Sequence, residues 1–251
     1  MKLSAPNKTV LTTFLRYAFG EVIIVIIGIL IAVEFGAWQA DKEFRKTELI
    51  YLNGFVEDQM IDQAKMVELF ALKEKQYRSA NDVLEYFRND HNSAQADSFL
   101  YDFFTVSAWY DFKPASNTYN QLIHSGHFDL IQNEVIKDQI LELREAYDAL
   151  DSYHAHVLND YEQYLYGIFE IVDLKTLQIV EPGASISFAE DAEIQLQIKE
   201  VLENTAVKNG VHLFLYNHEN IGRNLYLDIL KKIKTILHEI RKEIKRWVLS
   251  V

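Results

Sequence analysis

The chain has 251 residues, of which 49% are hydrophobic and 13% aromatic, and it carries a formal net charge of -12. This apolar content excludes a disordered chain, and three prolines with nine glycines favour long helices over a loop-rich or β architecture. The absence of cysteine excludes disulfide and thiolate chemistry. The acidic balance argues against nucleic acid as the main partner, because phosphates need a cationic surface.

Residues 17–38, YAFGEVIIVIIGILIAVEFGAW, are predicted to be a membrane anchor. Their centre, from Val22 to Val33, is unbroken apolar sequence. As a helix the stretch would be about 33 Å long at ~1.5 Å per residue, close to a hydrocarbon layer about 30 Å thick. No small-x-small cleavage site follows, so we expect an uncleaved signal anchor behind a tail of residues 1–16. The cations and the lack of acids in that tail favour, by a narrow margin, a cytoplasmic N-terminus.

One side of the anchor carries small residues. Glu21 and Gly28 are seven residues apart and so lie within about 20° of each other on a helix. Gly28, Ala32 and Gly36 form a small-xxx-small pattern, which lets membrane helices approach closely. We predict that this side packs against a second copy of the chain or another membrane protein. The alternative is that Glu21 and Glu34 reach the nearer interfaces or are protonated, with glycine present only because it is frequent in membrane helices.

Two stretches carry family-like patterns. The anchor follows Y-A-I-G-E-I-x-L-V-x-I-G-I-L-I-A-L-x-x-x-x-W through Tyr17, Gly20, Glu21, Ile27, Gly28, Ile29, Leu30, Ile31, Ala32 and Trp38. Residues 118–147 follow Y-x-x-L-x-x-S-G-x-x-x-x-I-x-N through Tyr119, Leu122, Ser125, Gly126, Ile131 and Asn133. On these residues the chain resembles a family of single-anchor membrane proteins of uncharacterised function that is common in Bacteroidota. It departs from that pattern at Phe35, Gly36 and Gln39, where the family usually has Asn.

The resemblance implies a membrane-tethered, mostly helical protein and no established activity. Together with the charge of the tail, it leads us to expect a single-pass protein of the bacterial inner membrane. Its N-terminus would be cytoplasmic and its helical body periplasmic.

The helical pattern continues past Trp38 without a proline to about Phe87. Apolar residues at spacings of three and four predict its buried stripe. The stripe is Leu49, Leu52, Val56, Met60, Ala64, Val67 and Ala71. The acids Glu48, Glu57, Asp58 and Asp62 are predicted to form a solvated face rather than a metal site.

Two shorter helices are predicted next. An aromatic-rich helix over residues 96–109 ends before Pro114, with its rings in the core or at the tip of the bundle. A second helix over residues 116–125 ends at Gly126, since a C-terminal glycine can adopt the left-handed conformation.

A long helix is predicted over residues 134–170, with Asn133 as its N-cap. Its seam repeats strictly by three and four over four heptads, a pattern typical of a coiled coil. The seam is Ile140, Leu143, Tyr147, Leu150, His154, Val157, Tyr161, Tyr164 and Ile168. We take His154 as the single polar member of the seam, and we expect it to face the seam and set register rather than bind a ligand.

Residues 171–189 contain the turn Pro182–Gly183 between β-branched runs, which predicts either a small hairpin or a loop. Helix resumes over residues 191–204. After Asn209–Gly210 a final helix is predicted over residues 211–251. Its apolar side is Ile221, Leu225, Ile229, Ile233, Ile236, Ile240 and Ile244.

The C-terminal helix concentrates positive charge in a chain that is otherwise strongly acidic. Cations beside an aromatic and apolar ending are typical of interfacial helices, so we predict contact with lipid headgroups. The residues concerned are Lys231, Lys232, Lys234, Arg241, Lys242, Lys245, Arg246 and Trp247. The alternative is that these cations pair with acidic faces of neighbouring helices.

No arrangement of residues indicates catalysis. The chain lacks a Walker loop, a dinucleotide fingerprint, a nucleophile elbow and a zinc-protease motif. His154 and His156 would diverge by ~160° on a helix and could not chelate one metal, and Gly126 interrupts the pair His124 and His127. We therefore predict no metal site, no cofactor and no enzymatic activity.

The sequence thus predicts an all-α protein. It has a tail at 1–16, a transmembrane anchor at 17–38 and an elongated antiparallel helical bundle at 39–251. The preferred function is a membrane-tethered interaction module: a scaffold, adaptor or accessory subunit. The alternative is a sensory or small-ligand-binding domain that signals through its membrane helix. A polar cavity inside the bundle would favour the alternative, and an exposed apolar patch would favour interaction.

Overall fold

The computed structural model describes residues 8–88, 96–173 and 191–249, and the side chains from residue 17 onward. Every element in these ranges is helical, which confirms the predicted all-α class. The α-helices are α1 (Lys8–Arg88), α2 (Ala96–Ser107), α3 (Asn117–His124), α4 (Glu134–Asp160), α5 (Ala192–Glu203), α6 (Thr205–Asn217) and α7 (Arg223–Val248). Single 3₁₀ turns cover Phe128–Leu130 and Tyr166–Glu170, and single π turns cover Tyr161–Leu165 and His218–Gly222.

The chain divides into two units, Met1–Tyr51 and Leu52–Val251. In the first unit, every side chain of residues 21–44 is exposed. An 18-residue window there has a mean hydropathy of 2.5 with none of it buried. Burial inside the protein therefore does not account for this apolar helix, which is consistent with one membrane crossing near the N-terminus.

In the second unit, α7 runs antiparallel to α1. Arg223, at the start of α7, bonds Glu74 of α1. Arg241, near the end of α7, contacts Met60, which comes earlier in α1. Residue numbers therefore rise along α7 in the direction in which they fall along α1, so the two helices are antiparallel.

Helix α4 is also antiparallel to α7. Asn133, just before α4, bonds Glu243 near the end of α7. At the other end, His154 of α4 bonds Tyr226 near the start of α7. The predicted α4 seam is confirmed, since its members are buried except Tyr164, which is half-buried.

Several predicted helix ends are confirmed. The Asn133 side chain accepts a hydrogen bond from the Val135 N–H and so caps α4. Gly126 has φ +70°, which explains why α3 stops beside a glycine. The long helix predicted to Glu170 is α-helical only to Asp160 and continues as π and 3₁₀ turns. The hairpin or loop predicted at 171–189 lies almost wholly outside the described residues.

The predicted helix start after Asn209–Gly210 is wrong. Helix α6 runs through both residues. The predicted end of the preceding helix at residue 204 is confirmed, and α6 begins directly after it, where the Asn204 side chain accepts from the Ala206 N–H. Gly210 serves close packing rather than a turn. A Cβ there would lie 2.7 Å from Cβ of Tyr164, closer than real Cβ contacts come.

The buried stripe predicted for α1 is also wrong. Of its members only Leu52 is buried, while Met60 and Val67 are 51% and 53% exposed. Ala64 and Ala71 are exposed as well. The four exposed positions Met60, Ala64, Val67 and Ala71 are called the α1 strip below.

The face predicted to be solvated is largely buried. Asp58 and Asp62 are 8% and 0% exposed, and Glu48 is 2% exposed. Glu57 alone of the four acids is exposed. The reason for Asp58 and Asp62 is that a neighbouring segment presents backbone donors that these carboxylates accept.

Candidate functional site

A non-helical segment, residues 108–116, joins α2 to α3 and is held at both ends by side chains of α1; we call it the strap. At its first end the Gln76 amide donates to the carbonyls of Thr105, Val106 and Ala108, at 3.0, 3.1 and 2.5 Å. The last carbonyls of a helix lack intrahelical partners. Gln76 therefore caps α2 from another helix.

At the other end of the strap, two carboxylates of α1 receive backbone N–H groups. Asp62 accepts from Ala115 at 2.7 Å, and Asp58 accepts from Thr118, in the first turn of α3, at 2.9 Å. Negative charge is favourable at a helix N-terminus. The Tyr147 hydroxyl also donates to Asp62, at 2.9 Å. Burial raises the pKa of Asp62 although these hydrogen bonds oppose the shift.

The strap places aromatic rings over Lys73. This side chain is 3% exposed, and its Nζ lies 5.1, 5.8 and 5.9 Å from the ring centres of Trp109, Tyr110 and Tyr161. No carboxylate among the described residues forms an ion pair with it. Burial lowers the pKa of Lys73 to about 8, and the charge of Asp111 opposes that shift. Lys73 is therefore a buried ammonium held mainly by aromatic faces.

Two buried polar atoms near Lys73, the Tyr161 hydroxyl and Oε1 of Gln76, form no hydrogen bond of normal geometry with a described residue. The Gln76 side chain nevertheless lies close enough to the Tyr161 hydroxyl to oppose the rise in its pKa that burial causes. Buried polar groups are usually satisfied by protein or by water. This cluster of Lys73, Gln76, Trp109, Tyr110 and Tyr161 is called the Lys73 cluster.

Next to it, a hydrogen-bonded chain links the strap, α4 and α7. His154 Nδ1 lies 3.0 Å from Asp111 Oδ1, and Nε2 lies 3.0 Å from the Tyr226 hydroxyl. Burial lowers the pKa of His154, although Asp111 opposes the shift, so the ring is neutral at pH 7. A carboxylate only accepts, so Nδ1 donates to Asp111 and Nε2 accepts from Tyr226. His154 faces the seam as predicted; Asp111 was not anticipated.

A second buried histidine, His218, also lies near Tyr226, with their ring centres 6.3 Å apart. His218 contacts Glu74 at 3.0 Å, and Arg223 binds both oxygens of that carboxylate, at 2.9 and 2.5 Å. The hydrogen bond from Arg223 is the main reason why the pKa of Glu74 is lowered. Both His218 and Tyr161 lie in π turns, which often occur at functional sites.

Two concavities lie where the strap meets α4. One of about 30 Å³, lined by Gln59, Tyr147 and residues 114–116 among others, has room for a water molecule. The other, of about 300 Å³, is lined by residues 112–114, Tyr147 and Asp151 among others. Among the described residues no group of three or more His, Asp or Glu side chains could hold a metal ion.

The exterior of the same helix carries the second candidate site. The α1 strip is bordered by α7, because the Arg241 guanidinium lies 3.4 Å from Met60 Sδ. Three exposed cations follow this side of α7 at spacings of seven and four. They are Lys234, Arg241 and Lys245, called the basic edge below. Lys231 instead lines a groove with Val135 and Glu142 of α4.

The predicted cations of α7 separate into two sets. Lys232 pairs with Glu142 of α4 and with Asp228, Lys242 pairs with Glu239, and Arg246 pairs with Glu243. The basic edge and Lys231 form no ion pair with any described residue. Trp247 is half-buried. Pairing with a neighbouring helix, the alternative considered for these cations, thus applies to Lys232 alone of the seven within the described chain.

The predicted packing residues of the anchor lie on an open helix. Glu21, Gly28, Ala32 and Gly36 are all exposed. A Cβ added at Gly28 or Gly36 would meet nothing within 4 Å. The small residues therefore leave a surface to which another helix has access.

Sequence reasoning missed Lys73, Gln76 and Asp111 as members of one site. Lys73 is seven residues from both Met66 and Ala80, which are fully buried, and that spacing was the available signal. It becomes informative only when the buried side of α1 is known.

Comparison with curated proteins and with solved structures found no match. Comparison with family models matched residues 21–219 to a family of unknown function, DUF6090. The match begins in the apolar part of α1 and ends at residue 219, in the second π turn, so it includes the strap and the Lys73 cluster. The chain therefore belongs to DUF6090, a family of unknown function.

Proposed function

We propose that this protein is a membrane-tethered, non-catalytic interaction module: a scaffold, adaptor or accessory subunit whose bundle binds another protein. The observation that supports this function is the α1 strip. An amphipathic surface helix normally turns its apolar side inward, yet here apolar residues at spacings of three and four lie outside beside unpaired cations. An exposed apolar patch with a polar rim is typical of a protein interaction site.

The anchor provides the tether in this proposal. It spans the bacterial inner membrane with its N-terminus in the cytoplasm and the bundle in the periplasm. Its side with Glu21, Gly28, Ala32 and Gly36 contacts a second copy or another membrane protein, because small residues allow close approach in lipid. Substituting Gly28→Leu together with Ala32→Leu should weaken a membrane two-hybrid signal, and an unchanged signal would exclude this contact.

Orientation can be tested directly because the chain has no cysteine. A single Asn81→Cys substitution, at an exposed position of α1, should react with a membrane-impermeant maleimide in intact spheroplasts. Labelling only after lysis would place the bundle in the cytoplasm.

The proposed function is tested by purification of the full chain in a mild detergent, with quantitative identification of co-eluting proteins. We compare the wild type with a Met60→Ser, Val67→Ser double variant. The matched control is Leu196→Ser, at a residue of α5 that is 67% exposed. A specific set of proteins should be depleted from the strip variant and retained by the control. Equal recovery from all three would contradict an interaction role for the α1 strip.

The Lys73 cluster favours the second function, a domain that binds a small ligand. The supporting observation is that a buried ammonium lies near two buried oxygen atoms, of Tyr161 and Gln76, that form no hydrogen bond of normal geometry with a described residue. A small anion would satisfy the ammonium and accept from the Tyr161 hydroxyl. Thermal unfolding of the full chain with acetate, phosphate and chloride salts at equal ionic strength tests this function. A rise in Tm with one anion that Lys73→Met abolishes would support it, and equal Tm values would argue against it.

A further inference from the structure

The α1 strip has the geometry of a surface on which a helix packs. Its residues follow spacings of four, three and four, and its two alanines, Ala64 and Ala71, are seven residues apart. Larger side chains at Met60 and Val67 precede each alanine. Alternation of large and small residues at this period forms holes that accept side chains of a facing helix. Contact with a flat lipid surface would not require this spacing of large and small residues.

The two borders of the strip differ in charge. On the α7 side lies the basic edge, which touches the strip through Arg241 and Met60. On the opposite side, Glu57, Glu68 and Lys75 are exposed, so that border carries both signs. A partner therefore meets concentrated positive charge along one flank only.

The basic edge is available to a partner. Lys234, Arg241 and Lys245 form no ion pair in the described chain, although acids outnumber Lys and Arg by 37 to 25 in the sequence. By contrast, Lys232, Lys242 and Arg246, on the other side of α7, each pair with an acid. Acidic side chains of another molecule could form ion pairs with these cations.

We infer that the α1 strip and the basic edge together bind one amphipathic helix of a partner protein, whose apolar side faces α1 and whose acidic flank faces α7. This inference rests on the proposed interaction function and specifies the partner. Complementary charge sets the orientation of the bound helix, and the apolar contact contributes most of the buried area.

Site-specific photocrosslinking in native membranes tests the inference on the full chain. The photoreactive residue p-benzoylphenylalanine replaces Val67 in the strip or, as the control position, Leu196 in α5. Crosslinked peptides are then identified by mass spectrometry. We expect Val67 to capture a segment of another protein with apolar residues at spacings of three and four and Asp or Glu along one flank. Leu196 should not capture that segment.

Charge reversal provides the second measurement. Lys234→Glu with Arg241→Glu should lower the yield of the Val67 crosslink about tenfold, because like charges would then face each other. The matched control is Lys242→Glu with Arg246→Glu, two cations that already pair on the other side of α7. This control should leave the yield unchanged.

The outcomes separate the inference from the proposed function. Capture of a protein segment that is neutral, basic or not helical would overturn the acidic-helix inference while leaving the interaction function in place. A Val67 crosslink to lipid would show that the surface contacts headgroups and would overturn it as well. Capture of a second copy through a segment without an acidic flank would have the same consequence. Absence of any protein crosslink at Val67 would contradict both.

Discussion

The buried and exposed faces of α1 within the bundle are both mixed in polarity. The buried face combines the polar Asp58, Asp62, Lys73 and Gln76 with apolar residues such as Met66 and Leu69, and the exposed face includes the α1 strip. Gln76 and Asp58 bind the ends of α2 and α3, and Asp62 binds the strap. These backbone groups need donors and acceptors that apolar side chains cannot offer. A polar side chain of a helix can therefore be buried because it binds the backbone of a neighbouring segment.

The largest effect should come from removing a buried acceptor. Substituting Asp62→Leu leaves the Ala115 N–H without its acceptor and the Tyr147 hydroxyl with Gln59 alone, so we expect the free energy of unfolding to fall by about 3 kcal/mol. Asp62→Asn keeps one acceptor oxygen and should cost about 1 kcal/mol. Guanidinium unfolding of the full chain in detergent, followed by intrinsic fluorescence, measures both. Equal stability of Asp62→Leu and wild type would contradict the capping role.

The next effect has the opposite sign. Replacing the buried ammonium by Lys73→Met should raise the free energy of unfolding at pH 7 by about 2 kcal/mol, because a pKa of about 8 reflects a charge that is costly to bury. Loss of the ring contacts offsets part of the gain. The matched control Lys75→Met, at an exposed position, should change it by less than about 0.5 kcal/mol.

The same variant predicts a pH dependence. The pKa of Lys73 is lower in the folded state than the ordinary 10.5. The unfolded chain therefore binds more protons between about pH 8 and 10.5, and stability from this group rises with pH in that window. The difference in stability between Lys73→Met and wild type should shrink from pH 8 to pH 10.5. A constant difference would show that Lys73 is not the titrating group.

A smaller loss is expected at the other end of the strap. Gln76→Leu removes the amide that caps α2, at a cost of about 1 kcal/mol, partly offset because Oε1 no longer needs a partner. Hydrogen exchange at residues 108–116 should accelerate. Asn81→Leu, five residues further along α1 and exposed, should leave that exchange unchanged. Unaltered exchange in Gln76→Leu would mean that the strap is held by other contacts.

The smallest effect belongs to the exposed face. Val67→Ser should change the free energy of unfolding by less than about 0.5 kcal/mol, since its surroundings are already open to water. Leu69→Ser, two residues away and 5% exposed, should cost about 3 kcal/mol. A large loss at Val67 would indicate that the strip is covered.

The helices and most of their ends could be predicted from the sequence. The α4 seam, the Asn133 cap and the Gly126 terminus depend on local spacing and local chemistry, which the sequence contains. The period of α1 was also correct. Its phase was wrong, because periodicity identifies a stripe but not the side on which the rest of the chain packs.

The candidate sites depend on information that is not local. Asp58 and Asp62 are buried because they accept hydrogen bonds from backbone N–H groups that lie 60 and 53 residues away in the sequence. Two of the three rings near Lys73 belong to the strap, and His154, the partner of Asp111, belongs to α4. None of these partners is recognisable from spacing along the chain, and the basic edge could be distinguished from the paired cations only after the ion pairs were known.

The strap also sets an order in which contacts can form. Its bonds to α1 close loops of 29 to 60 residues, whereas the contacts of α7 with α1 connect residues 149 to 181 apart. Short loops close at a lower entropic cost, and chains emerge from the ribosome N-terminus first. During synthesis, α1, α2 and α3 can therefore assemble while Phe70 and Glu74 still face solvent. Helix α7 emerges later and then covers them through Tyr226 and Arg223.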